Sequence, residues 1–435
     1  MHPGLRTLGT DLVKHPRSRL ELSRWRGGRF ACTNLIRRTP TIAWIALTTH
    51  PSTRLCTVKD HRGTIVMSKP FLWAAFLLLL APLMFTPLAA QSRQTTLQLP
   101  PPDGCHAVGT RLAVLRDASR NRDLIVTFWY PALRGSDVAP YMDERTAAVL
   151  AAEWKLPPDF ARRVRTNACL RATMGKDGPF PLVLLEHGSG VVPAIYTIIA
   201  EGLASQGFVV AATNHPPDSL IAVFPDGHEV RSEAYWPVSA DRRTQGIAIG
   251  RFAEDVLVAD VRFILDRLQE MNAHDEFWRG HIDLSKIGIV GHSMGGTTAA
   301  LATKEEPRIL AGINLDGSTF PGMNEDVRPV ELHKPLLFVA TEEHAADPGS
   351  RGREYSGSES NTYYIVVPAS DHMSFTDGRL VQSHFSSESQ PNRNSLEASL
   401  LAVEATRSLV EEFFGKYLKG NPAPGLDLAV RVDKK

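Results

Sequence analysis

Short apolar runs and helical periodicities alternate along the C-terminal three quarters of the chain. The runs fall at 111–115, 124–129, 181–185, 207–212, 286–290, 309–314, 335–339 and 362–367. Several are near-continuous apolar or β-branched stretches, as strands covered on both faces require. Helical patterns lie between them, over 194–205, 251–271, 294–303 and 396–418. In the second, Leu257, Val261, Ile264, Leu265 and Leu268 recur at three- and four-residue steps, which places them on one helix face. The last repeats this with Leu396, Leu400, Val403, Val410, Phe414 and Tyr417, and it stops at Gly420 with Pro422 just beyond. The stretch 294–303 is too short to show a stripe. Strands alternating with helices predict one α/β domain over 91–435, built on a mostly parallel eight-stranded sheet with helices on both faces. Two segments break the alternation: 133–178, which holds Trp154, and the polar, loop-like 215–248, which holds Trp236. Binding groups sit on connections at the carboxyl ends of parallel strands, so both are candidate pocket walls; the plainer alternative is solvated insertions.

The first 66 residues follow another pattern. Residues 1–69 hold thirteen Lys/Arg against three Asp/Glu, with no sustained apolar period beyond 41–47. Met67-Ser68-Lys69 then leads into an apolar stretch with four consecutive leucines at 77–80, and small residues follow at Ala89-Ala90. A basic start, an apolar middle and a small-residue exit make a secretory signal peptide of 67–90, with 1–66 an upstream over-extension or a basic disordered leader. The alternative is a membrane anchor over 70–90, although Pro82 and Pro87 interrupt it and it is barely long enough to span a bilayer. Export would leave the mature chain two cysteines, Cys105 and Cys169, which could pair in an oxidising compartment or remain buried thiols. Neither has metal-ligand spacing. Overall Lys+Arg number 48 against Asp+Glu 47, so no net field points to nucleic acid.

The sharpest chemical signal is Gly291-His292-Ser293-Met294-Gly295-Gly296, which follows the apolar run 286–290 and precedes a helix-forming stretch. Gly-x-Ser-x-Gly between a strand and a helix is the nucleophile elbow of α/β-hydrolases. The turn is so tight that side chains two residues either side of the serine would clash. The following helix also directs its N–H groups and positive end at the site, which favours an oxyanion. At ordinary Gly and Ser frequencies a chain this long matches the five-residue pattern by chance about once in seven, so the flanking elements carry the assignment of Ser293 as nucleophile.

A nucleophilic serine needs a base, an orienting acid and an oxyanion hole. In this fold the acid and base follow the serine in that order. Among His333, His344, His372 and His384, His372 lies just past the last strand, where the base belongs. Asp316, at the end of the strand after the elbow helix, is the favoured acid; Glu342, Glu343 and Asp347, one strand later, are the alternatives. The oxyanion donors would be the N–H of Met294 and that of Ser189, with Gly188 next, in the loop Glu186-His187-Gly188-Ser189-Gly190. His187 and His292 read as braces for these turns.

These residues resemble the platelet-activating factor acetylhydrolase-like branch of α/β-hydrolases over roughly 109–420. The resemblance rests on Val126-Thr127-Phe128-Trp129-Tyr130-Pro131, on Glu186–Gly190 and on 203–212. It continues through Gly291-His292-Ser293-Met294-Gly295-Gly296, Leu315-Asp316-Gly317, and His372 followed by Phe375 and Asp377. It implies that the acid is Asp316, that Ser189 and Met294 take the oxyanion positions, and that short or oxidised acyl esters, notably on phospholipids, are cleaved without metal or organic cofactor. Mammalian members carry a surface patch for lipoprotein or membrane docking; none is identifiable here, and transient lipid-surface contact stays an expectation. The elbow is also similar to those of polyester and dienelactone-type hydrolases. Polyester hydrolases usually place the acid one strand later, on Glu342 or Asp347. Amide or peptide hydrolysis, and a secreted binding protein on the same fold without turnover, are the remaining alternatives.

Overall fold

The computed structural model describes residues 95–233, 242–318, 333–346, 362–386 and 393–426. The leader, the signal segment or anchor, Trp236 and Asp347 lie outside these residues.

Nine strands form the main sheet: β1 (Ala107–Asp117), β2 (Arg122–Ala132), β3 (Cys169–Leu170), β4 (Phe180–Glu186), β5 (Val209–Asn214), β6 (Ile282–His292), β7 (Ile309–Leu315), β8 (Leu336–Thr341) and β9 (Thr362–Val367). Their order is β9-β8-β7-β6-β4-β5-β2-β1-β3. The six from β9 to β5 are mutually parallel; β2 runs antiparallel to β5 and to β1. All eight apolar runs are strands. The ninth, β3, has two residues, too few to leave a periodic signature, and it pairs with β1 from within the 133–178 segment.

Pleating divides the core between the two faces. Val183 and Leu185 of β4 face one side, with Val210 and Ala212 of β5, and meet Val403, Val410, Phe413 and Phe414. Leu182 and Leu184 face the other, with Val209 and Ala211, and meet Val261, Ile264, Leu265 and Leu268. The longer helices among the described residues are α1 (Glu144–Trp154), α2 (Thr197–Ser205), α3 (Arg242–Phe252), α4 (Ala259–His274), α5 (Met294–Glu305), α6 (Asp377–Ser386) and α7 (Arg393–Lys419). The apolar stripe read at 257–268 is buried throughout. Gly420 ends α7 with φ of +73°, the left-handed value such a terminus uses.

Two expectations need correction. The segment 215–248 is not merely loop: it carries a hairpin of Ile221–Val223 with Glu229–Arg231, and α3, joined to α4 by the π-helical turn Ala253–Val258. Ile249 and Phe252 of α3, just past that segment, share an apolar cluster with Met294, the residue after the elbow serine. Cys105 and Cys169 form no disulfide. Cys169 sits opposite Gly109 of β1, whereas Cys105 lies ahead of β1, in the bend before Ala107. The Cys169 thiol lies against Gly135 O at 3.4 Å instead.

Phe414 is fully buried, and its ring lies against Gly288 of β6. Phe414→Ala is expected to destabilise the fold by about 3–5 kcal/mol, read as a lower urea midpoint with an unchanged m-value.

Candidate functional site

Sheet register assembles the site. Gly291 lies opposite Glu186, His292 opposite Leu315, and Leu315 opposite Val339. The next residues off these strands therefore leave the sheet side by side: His187-Gly188-Ser189 from β4, Ser293 from β6 and Asp316 from β7. The connections β4→β5 and β6→β7 run in opposite directions across the sheet, so the crevice between β4 and β6 is the topological switch point where open α/β sheets bind ligands.

Ser293 occupies the turn between β6 and α5 with φ of 56° and ψ of −118°, strained for a residue with a Cβ. Its N–H donates to Leu315 O at 2.9 Å and its C=O accepts from Thr297 N–H at 3.1 Å. A Cβ on Gly291 would strike the Gly295 carbonyl, and one on Gly295 would strike the Glu186 carbonyl. The spacing read in the sequence therefore reports backbone touching backbone. Ser293 is half-buried, whereas Ser189 and His372 are exposed.

Asp316 has a left-handed φ of 53° and is anchored by its N–H to Val339 O at 2.7 Å. Its Oδ2 accepts from His372 Nδ1 at 2.7 Å. Its Oδ1 accepts from the N–H of Thr341 at 2.8 Å and from the Thr341 hydroxyl at 3.2 Å. Burial alone would raise the Asp316 pKa; the His372 and Thr341 hydrogen bonds reverse this and hold it below the usual carboxylate value. The carboxylate therefore only accepts. That places the proton on Nδ1 of His372 and leaves Nε2 as the basic nitrogen.

Glu342 does not take this place. It is exposed on the short helix Glu342–Ala346 and accepts from Ala369 N–H at 3.2 Å. Glu343 is exposed on the same helix. His344, on that helix, stands 3.7 Å from Asp316 Oδ1. His333 is exposed ahead of β8, and His384 lies on α6.

Hydrogen-bond donors and acceptors can be ordered through the two bracing histidines. His372 C=O can only accept, so His292 donates from Nε2, at 2.7 Å. Burial, with the His372 imidazole alongside, lowers the His292 pKa to about 3, so its Nδ1 is unprotonated. That nitrogen accepts from the Tyr196 hydroxyl at 2.9 Å, and the hydroxyl oxygen accepts from Gly188 N–H at 3.0 Å. The β4 loop and the His372 loop are thus tied through Tyr196 and His292. Gly188 N–H is occupied by this tie, which removes it as an oxyanion donor. On the other side, His187 donates from Nδ1 to Gly188 O at 2.7 Å and accepts at Nε2 from His215 N–H at 3.2 Å. In a trans peptide the C=O and the following N–H point oppositely, so the grip on Gly188 O turns Ser189 N–H to the other side of the loop. Asp218 clamps the same loop, accepting from the Ser189 hydroxyl at 2.6 Å and, at its backbone O, from Gly190 N–H at 2.8 Å. Met294 opens α5, so its N–H is among the first-turn donors that no helix carbonyl reaches. Asp377 is fully buried and accepts from Ile198 N–H at 3.1 Å, joining the His372 segment to the start of α2.

Beneath the loop lies a buried charge cluster. His215 pairs with Glu186 through Nε2 and with Asp260 through Nδ1 at 2.9 Å. Arg122 grips Asp260 with two bonds at 2.6 and 3.0 Å, and Arg120 adds a third at 2.7 Å. Tyr196, His215, Asp218, Asp260 and Thr341 were not singled out in the sequence. His215, Asp218 and Thr341 sit at or just past strand ends, while Tyr196 closes a short 3-10 turn before α2 and Asp260 lies in the first turn of α4, positions that no local pattern marks.

The family described as platelet-activating factor acetylhydrolase, isoform II, matches residues 91–234 and 244–420. The chain belongs to that family. It is 30% identical over 213 residues to the platelet-activating factor acetylhydrolase of Cavia porcellus, covering 46% of this chain and 48% of the relative. It is 26% identical over 252 residues to a probable 1-alkyl-2-acetylglycerophosphocholine esterase of Arthroderma benhamiae, covering 52% and 61%. The match thus spans about half to two thirds of these relatives' length. A solved structure of a ferulic acid esterase from Streptomyces cinnamoneus superposes with a TM-score of 0.63 at 29% identity, covering 77% of this chain and 96% of that one. In this family the sheet is an α/β-hydrolase sheet, which is the architecture observed.

Burial alone would lower the His215 pKa; the Glu186 and Asp260 carboxylates override it and raise it to about 9, from about 6.5. Folded protein therefore holds the extra proton between these values. The stabilisation is complete below pH of about 6.5 and is lost as the pH rises through about 9. Urea midpoints of the wild type are expected to fall from pH 7 to pH 10, with a flatter profile in His215→Gln.

Proposed function

We propose that this chain hydrolyses carboxylic esters through an acyl-enzyme on Ser293. The observation that carries the reading is the Asp316–His372 hydrogen bond, set beside a strained serine at the switch point. His372 Nε2 takes the Ser293 proton as Oγ attacks the acyl carbon. Asp316 holds the imidazole in the tautomer this requires and stabilises its charged form. The N–H groups of Ser189 and Met294 receive the developing oxyanion. The alcohol leaves with the proton from His372; water then attacks the acyl-enzyme with His372 as base, and the acid is released. Mechanistically this needs no cofactor.

The substrates we assign are small or lipid esters with short acyl groups. The fungal relative is named for an acetylated glycerophosphocholine, and the solved neighbour for ferulic acid esters. We also place the protein outside the cytosol, on the basic, apolar and small-residue order of 67–90. N-terminal sequencing of native material should begin near residue 91; an intact Met1 would exclude cleavage.

Ser293→Ala is expected to abolish p-nitrophenyl acetate hydrolysis and labelling by a fluorophosphonate. Asp316→Asn is expected to lower kcat on the order of 10³–10⁴-fold by disfavouring the working tautomer, whereas Glu342→Gln should leave it within about twofold. Wild-type turnover in Ser293→Ala would sink the mechanism.

A further inference from the structure

Gly188 passes very close to the elbow. A Cβ there would lie 3.2 Å from His292 Nδ1 and 3.2 Å from Ser293 Cβ, tighter than side chains ordinarily pack. Neither neighbour is free to give way, since His292 is bonded at both ring nitrogens and Ser293 stands in the strained turn. A glycine lets the 187–190 loop through, and the consequence is a hinge. With no Cβ to limit φ and ψ, nothing in residue 188 itself fixes the peptide before it against the peptide after it. The peptide after it carries the Ser189 N–H.

Two side chains supply the missing restraint. His187 donates from Nδ1 to Gly188 O at 2.7 Å and so holds the following peptide. The Tyr196 hydroxyl accepts from Gly188 N–H at 3.0 Å and holds the preceding one. Rotation about φ moves the first peptide against the second and rotation about ψ the second against the first, so the pair of holds stops both.

Tyr196 reaches this point from another element. It closes the 3-10 turn Pro193–Tyr196, caps α2 and is 1% exposed. Its hydroxyl proton goes to His292 Nδ1 at 2.9 Å, and His292 Nε2–H goes to His372 O at 2.7 Å. Among side chains, only a hydroxyl accepts from an N–H and donates to a ring nitrogen through one atom. The His292 and His372 rings stand 4.6 Å apart between centroids. A proton on His292 Nδ1 would set a cation beside the imidazole that becomes charged during attack; Tyr196 occupies that nitrogen with a neutral donor. The same helix end holds the His372 segment at a second point, where Ile198 N–H donates to Asp377 at 3.1 Å. Contacts thus close a circuit from His372 through His292, Tyr196 and the first turn of α2 to Asp377.

We infer that Tyr196 is a positioning residue of the ester reaction: its single hydroxyl sets the oxyanion loop and the base loop together. The inference rests on the ester-hydrolase reading and adds to it a residue outside the triad and the oxyanion donors.

The test is steady-state hydrolysis of p-nitrophenyl acetate by the full chain and its variants, well below their unfolding transitions. Tyr196→Phe keeps the ring and removes the hydroxyl. It is expected to lower kcat about tenfold, the loss of one hydrogen bond, with KM unchanged, because the groups it orients act in the transition state. His292→Leu cuts the same tie from the other end and should lose as much. The double variant should lose no more than the worse single one, since both changes remove one connection. His292→Gln should restore turnover, its amide nitrogen donating to His372 O while its oxygen accepts from Tyr196. A merely structural role would lower urea midpoints and leave the kcat of folded enzyme alone. Wild-type kcat in folded Tyr196→Phe, a loss carried by KM, or single losses that multiply in the double variant would overturn the positioning role. If Tyr196→Phe folds poorly, the contrast between His292→Leu and His292→Gln, which both retain the hydroxyl, decides in its place, and equal losses in the two would overturn it. Turnover surviving in Ser293→Ala would instead remove the ester reading, and the positioning role with it.

Discussion

Everything at the site depends on the crossing of β6 and α5 over the end of β4. Ser293 stands there in a backbone conformation that costs on the order of 1–3 kcal/mol. That conformation persists because its surroundings leave no other. Gly291 and Gly295 bring the turn, the helix start and the Glu186 carbonyl into direct contact. The Ser293 N–H is fixed to Leu315 and its C=O to Thr297. The same contact sets the register that delivers Asp316 on one side and the 187–190 loop on the other. A side chain at either glycine would separate the strand from the helix, and the acid and the oxyanion loop would move with them.

Around this crossing the reactive groups and their supports occupy different environments. Ser189, Ser293 and His372 are reachable, while Asp316, His187, His292, Tyr196 and Asp377 are buried behind them. Most of the supporting bonds engage backbone groups of the two loops: Gly188 N–H and C=O, His372 C=O, Thr341 N–H. Fixing a loop by its backbone aims its peptide dipoles before substrate arrives, which is the arrangement that stabilises a developing oxyanion without reorganisation.

Local patterns in the chain reveal the elements and the elbow because those depend on neighbours in sequence. Period-two and period-3.6 burial, the glycines around Ser293 and the left-handed end at Gly420 are all of this kind. His372 and Asp316 were legible through chain order, and the family resemblance settled the choice between Asp316 and Glu342. The supporting residues were not legible. Tyr196 meets His292 across 96 positions and His215 meets Asp260 across 45, and no local periodicity encodes such pairings. Of the two alternatives for Cys105 and Cys169, the unbridged one is realised; cysteine count carries no information about which strands pair.

The buried cluster of Glu186, His215, Asp260, Arg122 and Arg120 raises a last question of design. Burying ions is expensive, and a well-packed apolar replacement often matches or exceeds a buried salt bridge in stability. Stability alone is therefore a weak reason for its presence. Its position supplies a better one. Glu186 ends β4 immediately before the loop, and His215 follows β5 and donates its N–H to His187. Hydrogen bonds are directional where apolar contacts are not, so the cluster specifies the orientation of His187, and through it the Gly188–Ser189 peptide. An apolar core at that point would pack as tightly but would supply no directional hold on the His215 segment whose N–H orients His187. The charge is placed where an angle, rather than an area, has to be fixed.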